Sequence, residues 1–138
     1  MNTLLRLLGA LSLAVLLVGC SPSDKHGREA LSGTVKLRGE PLPHANLRIT
    51  DANGSREFDT GALVTDGQFT IAREFGVPPG TYRVRISYLK LRGGKAKSDV
   101  AGDETGDMQE QIPAPFSTDG VVIEVRAGEP NQFNFDIP

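Results

Sequence analysis

Two histidines and one cysteine are the residues of this chain whose side chains suggest catalysis. A serine or cysteine hydrolase needs a nucleophile, a histidine base and an acid that orients the histidine. His44 is the only candidate base in the region patterned as a folded domain, since His26 lies in a polar stretch before it, and no G-x-S-x-G motif is present. The sequence therefore predicts no catalytic residue, metal or cofactor, and a hydrolytic site around His44 stays an alternative.

Residues 90–111 have an unusual order of charges. The basic residues come first and the acidic residues follow: Lys90, Arg92, Lys95, Lys97, then Asp99, Asp103, Glu104 and Asp107. With almost no apolar side chains, the segment cannot offset its ordering entropy, so we expect a mobile loop that folding does not require. Long loops often have functions, which makes these residues a candidate partner-binding loop. The alternatives are a solvated insertion whose halves attract each other, and a calcium site without EF-hand spacing.

The first twenty residues have the pattern of an export signal. A short polar start with Arg6 precedes an apolar run over residues 7–18, which is too short to span a bilayer. The sequence Leu17-Val18-Gly19-Cys20 resembles the lipobox of bacterial lipoproteins. That resemblance implies a signal peptide over 1–19, cleavage before Cys20 and attachment of lipid to Cys20.

The lipobox also implies a location. The membrane becomes a partner through the lipid on Cys20, and Ser21, in place of an Asp, favours the outer membrane over the inner membrane. An unmodified thiol behind an ordinary signal peptide stays an alternative. Residues 20–30 are polar and aperiodic, and they are interpreted as a short tether.

The remaining residues, 31–138, are interpreted as one domain. The net charge of −2 gives no basic excess, which argues against nucleic-acid binding. The single cysteine excludes an intramolecular disulfide. Sixteen glycines and nine prolines suit a fold with many turns.

Apolar residues alternate with polar ones along six segments, which predicts strands at residues 31–37, 45–50, 69–71, 81–88, 121–125 and 132–137. A seventh strand is expected at residues 57–65. The predicted core comprises Val35, Leu47, Ile49, Phe69, Tyr82, Val84, Ile86, Ile123, Phe133 and Phe135. Tyr82 follows Pro79-Gly80-Thr81, and its hydroxyl is expected to reach backbone near the end of the sandwich, because a buried phenol needs a partner.

Three motifs in this domain resemble carboxypeptidase-regulatory-like domains. They are LSGTVKLRGEPLPHA at 31–45, VTDGQF at 64–69 and PGTYRV at 79–84. The later segments IPAPF, VVIEV and NQFNFDI are similar to small bacterial lipoproteins with this domain. The resemblance implies an all-β, seven-stranded Greek-key sandwich of transthyretin-like type, and accessory modules without catalytic residues.

The expected function is that of a membrane-anchored, non-enzymatic binding or structural module of the cell envelope. Its partner would be an envelope protein or a polysaccharide. Three alternatives stay open: an accessory subunit of a transport or secretion complex, a small-ligand carrier, and a hydrolase.

Overall fold

The computed structural model describes residues 27–92 and 107–138. Several residues singled out by the sequence lie outside the described ranges: the signal peptide 1–19, Cys20, His26, Lys95, Lys97, Asp99, Asp103 and Glu104.

Ten strands form the described part of the chain. They are β1 (Leu31–Leu37), β2 (Glu40–Pro41), β3 (His44–Asp51), β4 (Asp59–Thr65), β5 (Gln68–Ile71), β6 (Gly80–Ser87), β7 (Leu89–Leu91), β8 (Met108–Glu110), β9 (Val121–Val125) and β10 (Asn131–Ile137). All seven predicted strands are present, which confirms the all-β prediction. The short strands β2, β7 and β8 were not predicted, because each has too few residues to show an alternating pattern.

The strands follow a Greek-key order. The main sheet runs β10-β1-β5-β4-β3-β6-β9, with β2 paired to β1. Strands β3, β4 and β5 follow one another through hairpins, and β6 returns to lie beside β3, as a Greek key requires. The β1–β10 pair is parallel, whereas the other neighbours are antiparallel.

The main sheet curls over into a sandwich-like fold. Strands β4 and β5 pair only through Thr65 and Gln68, so the sheet folds at this hairpin. Side chains from both halves then meet in one core, which includes nine of the ten predicted residues. Phe133 was also predicted to be buried in the core, and this is wrong in extent: the side chain lies on the edge strand β10 and is only partly buried against the core.

Tyr82 confirms the prediction for its hydroxyl. The ring is buried, and Tyr82 Oη donates to the carbonyl oxygen of Pro78 at 2.8 Å. Burial raises the pKa of Tyr82, and the negative charges of Asp51 and Glu57 raise it further. The phenol therefore stays protonated and fixes the Pro78-Pro79-Gly80 turn at the start of β6.

In the part of the chain that the structure describes, helical structure is short and lies in the connections. One 3-10 turn spans Arg73–Phe75 between β5 and β6, and the helix α1 (Ala114–Ser117) precedes β9. No helix within 27–92 or 107–138 is long and apolar enough to cross a membrane.

Candidate functional site

The last residues of the predicted tether, from Arg28 onward, are fixed to the folded body. Glu29 is buried, and its backbone N–H donates to the carbonyl of Val77 at 2.9 Å. The Glu29 carboxylate lies 3.2 Å from Arg73 Nη2 and accepts a hydrogen bond from the Gly128 N–H. Gly76 allows this approach, because a Cβ there would lie 1.8 Å from the Glu29 carbonyl oxygen.

This attachment defines two ends of the sandwich. We call the end where Glu29 meets Val77 the tether end, and both β1 and β6 begin beside it. Both strands therefore finish at the opposite end, which we call the distal end. Strands of seven and eight residues separate the two ends by about 25 Å.

A small β-ribbon leaves the body at the distal end. It consists of β7 and β8, which pair antiparallel with each other and form a separate two-stranded sheet. Leu91 lies opposite Met108, and Leu89 shares its face because alternate residues of a strand point the same way. These three side chains remain 46%, 51% and 48% exposed, respectively, so the ribbon presents an apolar face to solvent.

The base of the ribbon is held by Glu110. Its Oε1 accepts hydrogen bonds from the backbone N–H groups of Tyr88 at 2.8 Å and Ile112 at 3.0 Å, and its Oε2 accepts one from Ser87 Oγ. Burial acts to raise the pKa of Glu110, but these hydrogen bonds to the ionised carboxylate outweigh burial and lower the pKa. The ionised group therefore fixes the ribbon on the end of β6.

The candidate binding loop begins and ends in this ribbon, so part of the segment 90–111, for which the sequence predicts a mobile loop, is in paired strands. Lys90 and Met108–Glu110 are in paired strands, and Lys90 Nζ lies 5.0 Å from the centroid of the Tyr88 ring. The Arg92 N–H donates to the Asp107 carbonyl at 2.8 Å, and their side chains form an exposed ion pair at 3.5 Å. The basic and acidic halves thus attract each other where both are described.

His44 lies at the start of β3, also at the distal end, and its side chain is exposed. Its ring meets the edge of the Tyr88 ring with centroids 6.4 Å apart. Within the described ranges, no hydrogen bond joins His44 to a serine, a threonine or a carboxylate. The described side-chain contact of His44 is therefore an aromatic one, with Tyr88.

Comparisons of the chain with protein-family models, curated proteins and solved structures gave no match. The described residues also include no group of three or more His, Cys, Asp or Glu side chains placed to hold a metal ion. The exposed apolar face of the ribbon at the distal end makes it a candidate binding site.

Proposed function

We propose that this chain is a lipid-anchored, non-enzymatic binding module of the cell envelope, related to carboxypeptidase-regulatory-like domains. It binds a protein partner through the apolar face of the ribbon. The observation that supports this function most is the exposed Leu89, Leu91 and Met108 cluster on a ribbon held at the end opposite the tether.

The proposed anchor and the position of the ribbon fit one another. Seven residues separate Cys20 from Arg28, which donates a hydrogen bond to the Glu74 carbonyl of the body, and they span at most about 25 Å. An anchor on Cys20 therefore keeps the tether end close to the membrane. The ribbon then points away from the lipid surface, where a partner can reach it.

A protein partner suits the ribbon better than a polysaccharide. Burying exposed leucine and methionine side chains is favourable by about 25 cal/mol per Å² of apolar surface, and sugars offer less apolar surface than protein side chains. Each strand of the ribbon also has only one neighbour among the described strands, so an extended segment of a partner can add to a free edge.

The Cys20→Ser variant tests the anchor. We expect it to lose membrane attachment, because the lipid chains provide the membrane affinity and serine lacks the sulfur that accepts them. The measurement compares intact mass and detergent partitioning of wild type and variant. Masses that differ only by the replacement of sulfur with oxygen, together with equal partitioning, would refute the anchor and leave the ribbon proposal unaffected.

Site-specific photo-cross-linking in intact cells tests the ribbon. A photoreactive residue at Leu91, or in a second strain at Met108, is expected to give the same discrete protease-sensitive adduct. Its matched control is a photoreactive residue at Leu63, which is 72% exposed on β4, outside the ribbon. An adduct that resists protease and yields to glycosidases would assign a polysaccharide partner and overturn the choice of a protein.

The Leu91→Ser/Met108→Gln variant tests how much the apolar side chains of the ribbon contribute to binding the partner. We expect it to reduce recovery of the same adduct from a photoreactive residue at Leu89 by about tenfold, whereas Leu63→Ser leaves recovery unchanged. Identification of the adduct as part of a transport or secretion complex would make this chain its accessory subunit. Equal adducts from Leu63 and Leu91 would refute the ribbon as the binding surface.

A further inference from the structure

A second feature lies on the outer face of β3 and β6, away from the ribbon. A groove of about 560 Å³ opens there, between this face and the loop that joins β3 to β4. Four arginines line it: Arg48, Arg56, Arg83 and Arg85. Thr50 and Ser55 place hydroxyl groups along the same groove.

The strand register brings the arginines of the two strands together. Arg48 lies directly opposite Arg85, and Thr50 lies opposite Arg83. Like charges placed opposite each other on neighbouring strands destabilise a sheet. The fold therefore keeps a repulsive arrangement at this position.

The guanidinium groups are held in place by the surrounding structure. Arg83 Nη1 donates to the Asp119 carbonyl and Arg85 Nε donates to the Thr118 carbonyl, both at 2.8 Å. Gly120 permits these contacts, since a Cβ there would lie 2.8 Å from Arg83 Cγ. Arg83 thus uses one of its donors. Arg85 uses two, because its Nη1 also lies 3.4 Å from the Thr50 hydroxyl. A guanidinium has five donors, so both arginines retain others.

Carboxylates compensate only part of this positive charge. Asp59 pairs with Arg48, and the Arg48 hydrogen bond lowers the pKa of Asp59, with the Arg48 and Arg56 charges lowering it further. The Asp51 carboxylate accepts from Ser55 Oγ and from the Phe58 N–H. No described carboxylate forms an ion pair with Arg56, Arg83 or Arg85. Four arginines against two aspartates leave the groove lining at +2, on a chain whose net charge is −2.

We propose that this groove binds a phosphate monoester group. The dianion of such a group carries about −1.5 to −2 at pH 7 and matches the excess charge of the lining, whereas a carboxylate supplies only −1. Arginine forks bind phosphate oxygens with paired hydrogen bonds, and the fixed Arg83 and Arg85 side chains need little reordering. The group comes from a soluble phosphomonoester or from a lipid headgroup, and the groove reaches the tether end through the loop bearing Arg56.

Titration calorimetry on the full-length protein in neutral detergent tests the proposal, at constant ionic strength. The probes are inorganic phosphate, glycerol 3-phosphate, and micelles that contain phosphatidic acid or, as a neutral comparison, phosphatidylcholine. We expect saturable binding of the phosphate probes and none of phosphatidylcholine. Tighter binding of phosphatidic acid than of glycerol 3-phosphate assigns the lipid source, and equal or weaker binding assigns the soluble source.

Arg83→Gln/Arg85→Gln is expected to weaken binding by about tenfold or more, because charge-assisted hydrogen bonds are lost. Lys36→Gln/Arg38→Gln removes the same charge from the other half of the sheet and is the matched control. Arg83→Lys/Arg85→Lys keeps the charge without the fork and should give intermediate affinity.

The exposed loop variant Arg56→Gln tests the groove without disturbing the strands, and we expect it to weaken binding about threefold. It therefore keeps the proposal testable if the double variant fails to fold. Absence of saturable binding by wild type, or equal losses in the Lys36→Gln/Arg38→Gln control, would overturn the phosphate site. Neither result depends on the lipid anchor or on the ribbon.

Discussion

Phe135→Ala is expected to lower the free energy of unfolding by about 3–5 kcal/mol, a large share of the roughly 5–15 kcal/mol typical of a domain. Phe135 is 5% exposed and lies opposite Val35 in the parallel β1–β10 pair. Its ring centroid is 6.2 Å from that of Phe69, so truncation removes an aromatic contact and leaves a cavity between the two halves of the curled sheet.

Two other phenylalanines provide controls for this loss. Phe133→Ala, two residues away on the same strand, should cost about 1–2 kcal/mol because the ring is only partly buried. Phe75→Ala should change stability by less than about 0.5 kcal/mol, since that ring is 64% exposed. Urea denaturation with unchanged m-values measures all three. A loss at Phe135 no larger than that at Phe133 would contradict the arrangement of β10.

The strands were predictable because each long strand buries one face. That face leaves alternating apolar residues in the sequence, as along Tyr82, Val84 and Ile86. Buried residues outside this pattern were missed. Leu42 and Val77 lie in connections, and Ile112 lies just after β8, so the contact with the core that buries them is tertiary and leaves no local period.

The candidate sites were predictable only in part. The order of charges in residues 90–111 indicated a candidate binding loop, and the ribbon lies at the two ends of this loop. The sequence did not predict the ribbon itself, because Leu89, Leu91 and Met108 are too few and too far apart to suggest a strand pair. The sequence indicated the arginine groove only weakly. Arg83 and Arg85 share one face of β6 by spacing alone, whereas Arg48 joins them only through the β3–β6 register, which the sequence does not reveal.

Gly33→Ala is the second substitution for which we expect a large loss, at or above the upper end of the roughly 1–3 kcal/mol typical of overpacking. The sequence pattern counts Gly33 as one apolar position in β1, but its structural role is to lack a side chain. A Cβ there would lie 1.7 Å from the carbonyl oxygen of Phe133 and 2.8 Å from Phe69 Cε1. The added methyl group must therefore push β1 and β10 apart, because backbone cannot rotate out of the way as a side chain can.

Gly39→Ala makes the same chemical change in the turn after β1, where a Cβ meets nothing within 4 Å. It should cost only about 1–2 kcal/mol, from the positive φ of 84° at that residue.

The double variant Gly33→Ala/Phe69→Leu separates the two contacts at Gly33, with Phe69→Leu alone as its reference. If the Phe133 carbonyl is the obstacle, adding Gly33→Ala to Phe69→Leu costs as much as adding it to wild type. A much smaller cost in the Phe69→Leu background would show that the ring is the obstacle, and that β1 and β10 approach less closely than their register requires.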